Sequence, residues 1–97
     1  MADVITAGAS VTTEAPARYA KQLASHLGRR AEVRDEPDGT RLVLGTSSCL
    51  IVVGHGVLEL RAEAESADDL TRVTEVVGSH LERFGQRNEL AVTWHRP

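Results

Sequence analysis

The chain has 97 residues, a formal net charge of -3 and a pI near 5.7. That length holds one domain, residues 1–97, and apolar and charged fractions of 41% and 26% place it among globular proteins. The acidic balance excludes a general nucleic-acid or anionic-membrane surface, which needs a basic footprint, and Tyr19, Phe84 and Trp94 alone make no stacking platform for bases.

Residues 1–3 read as a loose end. Residues 4–12 are strand-like, with Ala9 and Val11 toward a core and Ser10 and Thr12 outward; Gly8 restricts the expected pairing to the later half. Thr13 is the candidate N-cap of a first helix, and Pro16 falls in its first turn, where a missing N–H costs little. Tyr19, Leu23 and Leu27 form its apolar stripe, Gly28 stops it, and Arg29 and Arg30 suit the negative end of its dipole. Residues 31–36 alternate as a strand. In the turn Pro37-Asp38-Gly39-Thr40, proline presets the first angle and glycine takes a positive one; residues 40–44 form the next strand.

After a turn over residues 45–48, residues 49–53 are apolar on both faces, the mark of a central or interface strand. Gly54-His55-Gly56 leads into residues 57–64, where Leu58, Leu60, Ala62 and Ala64 alternate with Glu59, Arg61 and Glu63. Residues 66–85 carry the strongest helix pattern. Ser66 is its N-cap, Asp68 and Asp69 sit at its positive end, and Leu70, Val73, Val77, Leu81 and Phe84 share one stripe. Gly85 is expected to end it in the left-handed conformation. Asn88 opens a last strand with Leu90, Val92 and Trp94 on one face, and His95-Arg96-Pro97 closes the chain. The order strand, helix, four-strand meander, helix, strand predicts an α+β fold. It reads as a two-layer sandwich with a largely antiparallel sheet of about six strands and both helices on one face.

Ser25-His26-Leu27-X-Arg29 and Ser79-His80-Leu81-X-Arg83 match at an offset of 54 residues, and Arg18 matches Arg72. Read as two related strand–helix–strand units, this places His26 and His80 at equivalent C-terminal helix ends, where a protonated imidazole is favoured. Two imidazoles can bind a metal, hold an anion or shuttle a proton; the plainer reading pairs each ring with a backbone carbonyl or carboxylate. No His-x-x-x-His, Cys-x-x-Cys or Glu-x-x-His spacing supplies further metal ligands, so Cys49, His55 or a carboxylate has to arrive by folding. The sequence names no cofactor: GxGxxG, GxxxxGK[ST] and GxSxG are all missing. Cys49 has no base beside it and reads as a buried, inert thiol. As the only cysteine it makes no internal disulfide, and no membrane-length apolar run or signal-peptide pattern occurs, so a cytoplasmic location is expected.

The stretches TEAPARYAKQLASHLGRRAEV, DEPDGT, LRAEAESADDLTRVTEVVGSHLERFG and ELAVTWHRP occur in that order. Together, over about residues 10–96, they resemble the small bacterial family catalogued as domain of unknown function 2218. The resemblance implies a bacterial, stand-alone domain of this size. Through relatives joined to, or standing beside, siderophore-interacting flavin reductases, it also implies an iron-handling theme and a siderophore-related reductase as partner. Family members often carry a cysteine just before the Ser-His of the first helix. Here that place is Ala24 or Ser25, so no Cys-His metal or redox role carries over. Some relatives carry an aldolase name, which a chain without a lysine arrangement or metal triad does not support.

Three functional readings remain. The preferred one is a binding or accessory module, linked to siderophore and iron metabolism, with His26, His80 and Arg83 lining its polar site. The second is a small acid–base enzyme using the histidine pair, which predicts both rings in one concave pocket. The third is a structural homodimer, or docking of a partner protein, through the open sheet face that carries Arg41, Val43 and Val52.

Overall fold

The structure is a computed structural model that describes residues 4–96, so the loose end expected at residues 1–3 and the final proline lie outside it. The elements run β1 (Ile5–Thr12), α1 (Pro16–Leu27), β2 (Glu32–Glu36), β3 (Gly39–Leu44), β4 (Ser47–Val53), β5 (Val57–Ala64) and α2 (Ala67–Phe84), then a 3-10 turn (Gln86–Asn88). The strands form one sheet in the order β1-β5-β4-β3-β2, and every neighbouring pair is antiparallel.

Side-chain alternation decides what the sheet buries. Ala7, Ala9 and Val11 of β1, Leu42 of β3, Cys49 and Ile51 of β4, and Leu58, Leu60, Ala62 and Ala64 of β5 fall on one face. They join Tyr19, Leu23 and Leu27 of α1 and Leu70, Val73, Val77 and Leu81 of α2 in one core cluster. The two-sided apolar run of β4 accordingly takes the middle of the sheet. Its Leu50 is only 7% exposed yet belongs to no part of that cluster, because it points to the opposite face. Gly8 does not restrict the pairing of β1 to its later half: all eight residues pair with β5, from Ile5↔Ala64 to Thr12↔Val57. The buried side chains on either side of Gly8 supply the packing that the glycine lacks.

The helix starts differ in chemistry. At α2 the Ser66 Oγ accepts the Asp69 N–H at 3.1 Å, the expected cap. Thr13 does not cap α1. The N-cap is Ala15, without a side-chain bond, and Thr13 Oγ1 accepts the Ala15 N–H instead, at 3.1 Å. Pro16 takes the first helical position, where its fixed φ suits the helix and its missing N–H leaves nothing unpaired.

Two glycines serve a purpose other than the one expected. Gly85 ends α2 at φ -98°, so it is not left-handed; a Cβ there would overlap Leu90, which folds back onto the helix end. Gly39 has no positive φ either. Pro37 and Asp38 alone turn the chain, Glu36 pairs with Gly39, and a Cβ on Gly39 would overlap the Ile51 carbonyl of β4.

The sheet has five strands rather than six. After the 3-10 turn, Leu90, Val92 and Trp94 do pack against the core, as their alternation predicts. Their backbone, however, finds other partners. The Leu90 N–H goes to the Gly85 carbonyl at 3.1 Å and the Val92 N–H to a Glu82 carboxylate oxygen at 2.9 Å. A single bridge, Gly8↔His95, with two N–H···O bonds of 2.8 Å, joins this segment to the free edge of β1. Among the described residues no helix is long and apolar enough to cross a membrane.

Candidate functional site

Where α1 and α2 touch, they bring His26 and His80 together. The ring centroids lie 5.0 Å apart and the planes are tilted by 50°. His80 Nδ1 stands 2.6 Å from the Val76 carbonyl oxygen, one turn back on its own helix. A carbonyl only accepts, so Nδ1 is assigned the proton and Nε2 keeps the free lone pair of the neutral ring. His26 is exposed and His80 half-buried, so both rings are reachable from solvent.

The third member of the group is Phe84, which the sequence assigned only to the apolar stripe. Its ring meets His26 edge-on at 5.4 Å and His80 at 6.2 Å. The spacing of His80 and Phe84, four residues apart on one helix, already held that signal. Arg83 is exposed on the last turn of α2, and its guanidinium makes no hydrogen bond or ion pair with a described residue. The two histidines are not equivalent in their helices. His26 is next to last in α1, whereas α2 continues a full turn beyond His80 to Phe84.

Neither Cys49 nor His55 joins the pair: among the described residues no group of three or more His, Cys, Asp or Glu side chains could hold a metal ion. His55 is exposed in the turn between β4 and β5. Cys49 is buried in β4, and burial pushes its thiol up to about 12, against smaller lowering effects from the Arg61 backbone and the Arg41 charge. It is therefore a protonated, inert thiol at neutral pH. The four best-defined concavities of the described residues are lined by neither His26 nor His80.

Arg41, on the sheet face away from the helices, lies 2.9 Å from a Glu36 carboxylate oxygen and 3.6 Å from Glu63, and donates to Ser48 Oγ at 3.0 Å. The Glu36 hydrogen bond is the largest cause holding its guanidinium above the ordinary arginine range, with burial acting against it.

A family model described as an uncharacterized protein conserved in bacteria, DUF2218, matches residues 8–95. The chain belongs to the DUF2218 family. This DUF2218 chain is also similar to the NMR structure of PA4090 from Pseudomonas aeruginosa. The two are 26% identical with a TM-score of 0.77, over 94% of this chain and 95% of that chain. The likeness covers an α+β fold with a five-stranded antiparallel sheet and two helices. No curated protein is found similar to this DUF2218 chain.

Proposed function

We propose that this DUF2218 domain is a binding module, a two-layer sandwich whose helix layer carries a metal-docking pair, His26 and His80. The observation that carries the reading is the 5.0 Å separation of the two rings, contributed by different helices. Two imidazoles that share one ion through metal–nitrogen bonds of about 2.0–2.1 Å hold their centroids about 4.5–5 Å apart at tetrahedral or square angles. The bond from His80 Nδ1 to the Val76 carbonyl supports the same reading. Such bonds set the tautomer, aim Nε2 and raise its basicity at metal-ligating histidines.

Two protein ligands leave the remaining coordination positions open. The ion then arrives with water or a chelator as its other ligands, and exchange stays fast. Imidazole suits ferrous iron and zinc, whereas ferric iron prefers harder oxygen donors. The arrangement fits transient capture of ferrous iron beside a siderophore-related reductase in the cytoplasm. Arg83, exposed on the turn after His80, would face an anionic chelator. Acid–base catalysis has less support, because neither ring lines any of the four concavities, where a substrate would be held away from water.

The test is titration of the untagged protein with ferrous, ferric and zinc ions by calorimetry, repeated with His26→Ala and His80→Ala. One ferrous or zinc ion per chain is expected, with at least tenfold weaker binding in each variant. No binding by the unaltered protein, or unchanged binding in both variants, would overturn the proposal.

A further inference from the structure

The sheet face turned away from the helices holds a concavity of about 730 Å3. Leu50 and Val52 of β4 form its apolar floor. Ala91, Thr93 and His95 form one wall, which follows from the chain's own alternation: Leu90, Val92 and Trp94 turn onto the core, so the residues between them face the trough. The Gly8↔His95 bridge holds that wall to β1, and Asp38, from the turn between β2 and β3, contributes a carboxylate to the lining.

The charges in the trough are unevenly satisfied. Arg61 of β5 stands opposite Leu50 in the register. Its neighbours on the same face, Glu59 and Glu63, are both engaged elsewhere. Ser10 Oγ lies 2.8 and 2.7 Å from the two Glu59 carboxylate oxygens, and Glu63 pairs with Arg41 at 3.6 Å. The Arg61 guanidinium is left without a hydrogen bond or ion pair to a described residue, and so is the Asp38 carboxylate. One bare cation and one bare anion thus face a common apolar floor. Arg61 lies on β5, and Asp38 lies at the tip that leads into β3, two strands across. The register puts Arg61 level with Arg41, three residues from Asp38 along the strands. At about 4.8 Å between strands and about 3.3 Å per residue the two backbone positions stand roughly 14 Å apart, a gap that the long Arg61 side chain narrows.

We infer that this trough binds a zwitterionic small molecule of the short-peptide class. Its carboxylate pairs with Arg61, whose planar fork matches two oxygens. Its apolar body lies over Val52 and the exposed edge of Leu50, and its ammonium meets Asp38. The Thr93 hydroxyl and the His95 ring supply polar contacts from the wall. The site shares no residue with the histidine pair and stands or falls independently of it.

The test uses the full chain and three probes: the dipeptide Leu-Leu, its N-acetyl form and its C-terminal amide. Binding is followed by NMR shifts and calorimetry, with sedimentation to fix the oligomeric state. Leu-Leu is expected to shift resonances of β4, β5 and residues 91–95, and each blocked form to bind at least tenfold more weakly. Arg61→Gln should erase the difference between acid and amide, and Asp38→Asn the difference between amine and acetyl. Both side chains are exposed, so both variants are expected to keep the circular dichroism of the parent. Absence of Leu-Leu binding at millimolar concentration, or equal binding of all three probes, overturns the proposal. So does a dimer that Arg61→Gln dissociates, which would give this face to a second copy of the chain.

Discussion

Phe84 stands edge-on to His26, with 5.4 Å between ring centroids and 75° between planes, and so ties the end of α2 to the end of α1. Edge-on aromatic pairs contribute about 0.5–1.5 kcal/mol beyond the area they bury. Phe84→Leu keeps the apolar bulk and removes that term. Urea unfolding is expected to show a loss of about 1 kcal/mol. On the metal-docking proposal, zinc affinity should fall with it, because the imidazoles lose the ring packed against them. A midpoint equal to that of the parent would mean that Phe84 contributes bulk alone.

Cys49 should resist a disulfide exchange reagent in the folded protein and react at once in denaturant. Its effect on stability has a defined sign. The folded thiol titrates at about 12, above its ordinary value of 9.0. A group whose pKa is raised by folding gives stability that is fully present below the unfolded value and is lost as pH rises through the folded one. The Cys49 contribution should therefore be constant below about pH 9 and decline from there toward pH 12. Comparing urea midpoints of the parent and Cys49→Ala across this range isolates the contribution of the thiol. Parallel curves would contradict the assignment.

Gly39→Ala should be costly although nothing about its φ requires glycine. The added methyl would meet the Ile51 carbonyl, which is fixed in the middle of the sheet and cannot turn aside as a flexible side chain would. Overpacking of this kind costs about 1–3 kcal/mol, and the expected signature is a lower thermal midpoint with unchanged helical content. A neutral outcome would show that β3 can slide past β4.

Ser66→Ala should destabilise by about 1 kcal/mol through loss of the bond to the Asp69 N–H. Thr13→Ala should cost less, since its hydroxyl serves a residue ahead of α1 rather than a donor inside the helix. Denaturant titrations of the two variants side by side check the contrast, and equal losses would restore Thr13 as a cap.

The readable parts of this chain were those where one local pattern settles the outcome. Residues 57–64 became β5 with no change of boundary, and Ser66 capped α2 as the pattern required. The misread parts depend on partners outside their own local pattern. The spacing of Leu90, Val92 and Trp94 gives the direction of side chains, but not whether the Val92 N–H meets a strand or the Glu82 carboxylate. The sequence presents Gly85 and Gly39 as conformational glycines, whereas each is required by a close neighbour, Leu90 in one case and the Ile51 carbonyl of β4 in the other. In the site, the matched Ser-His-Leu stretches point to the two histidines that do meet, and Phe84 joins them from the apolar stripe. The lone charge of Arg61 was beyond reach, because it depends on which neighbours Glu59 and Glu63 choose.

The chain contains one tryptophan, and it rides on the segment that a single bridge clips to the edge of β1. Its indole rests against Gly78, where a side chain would come within 3.0 Å of Nε1. Trp94 is thus an optical witness to the seam between the clasp and α2. Light emission should redden when the clasp lifts, while the far-ultraviolet signal of α1 and α2 reports the rest. Recorded together during heating, the two colours separate opening of the seam from melting of the protein.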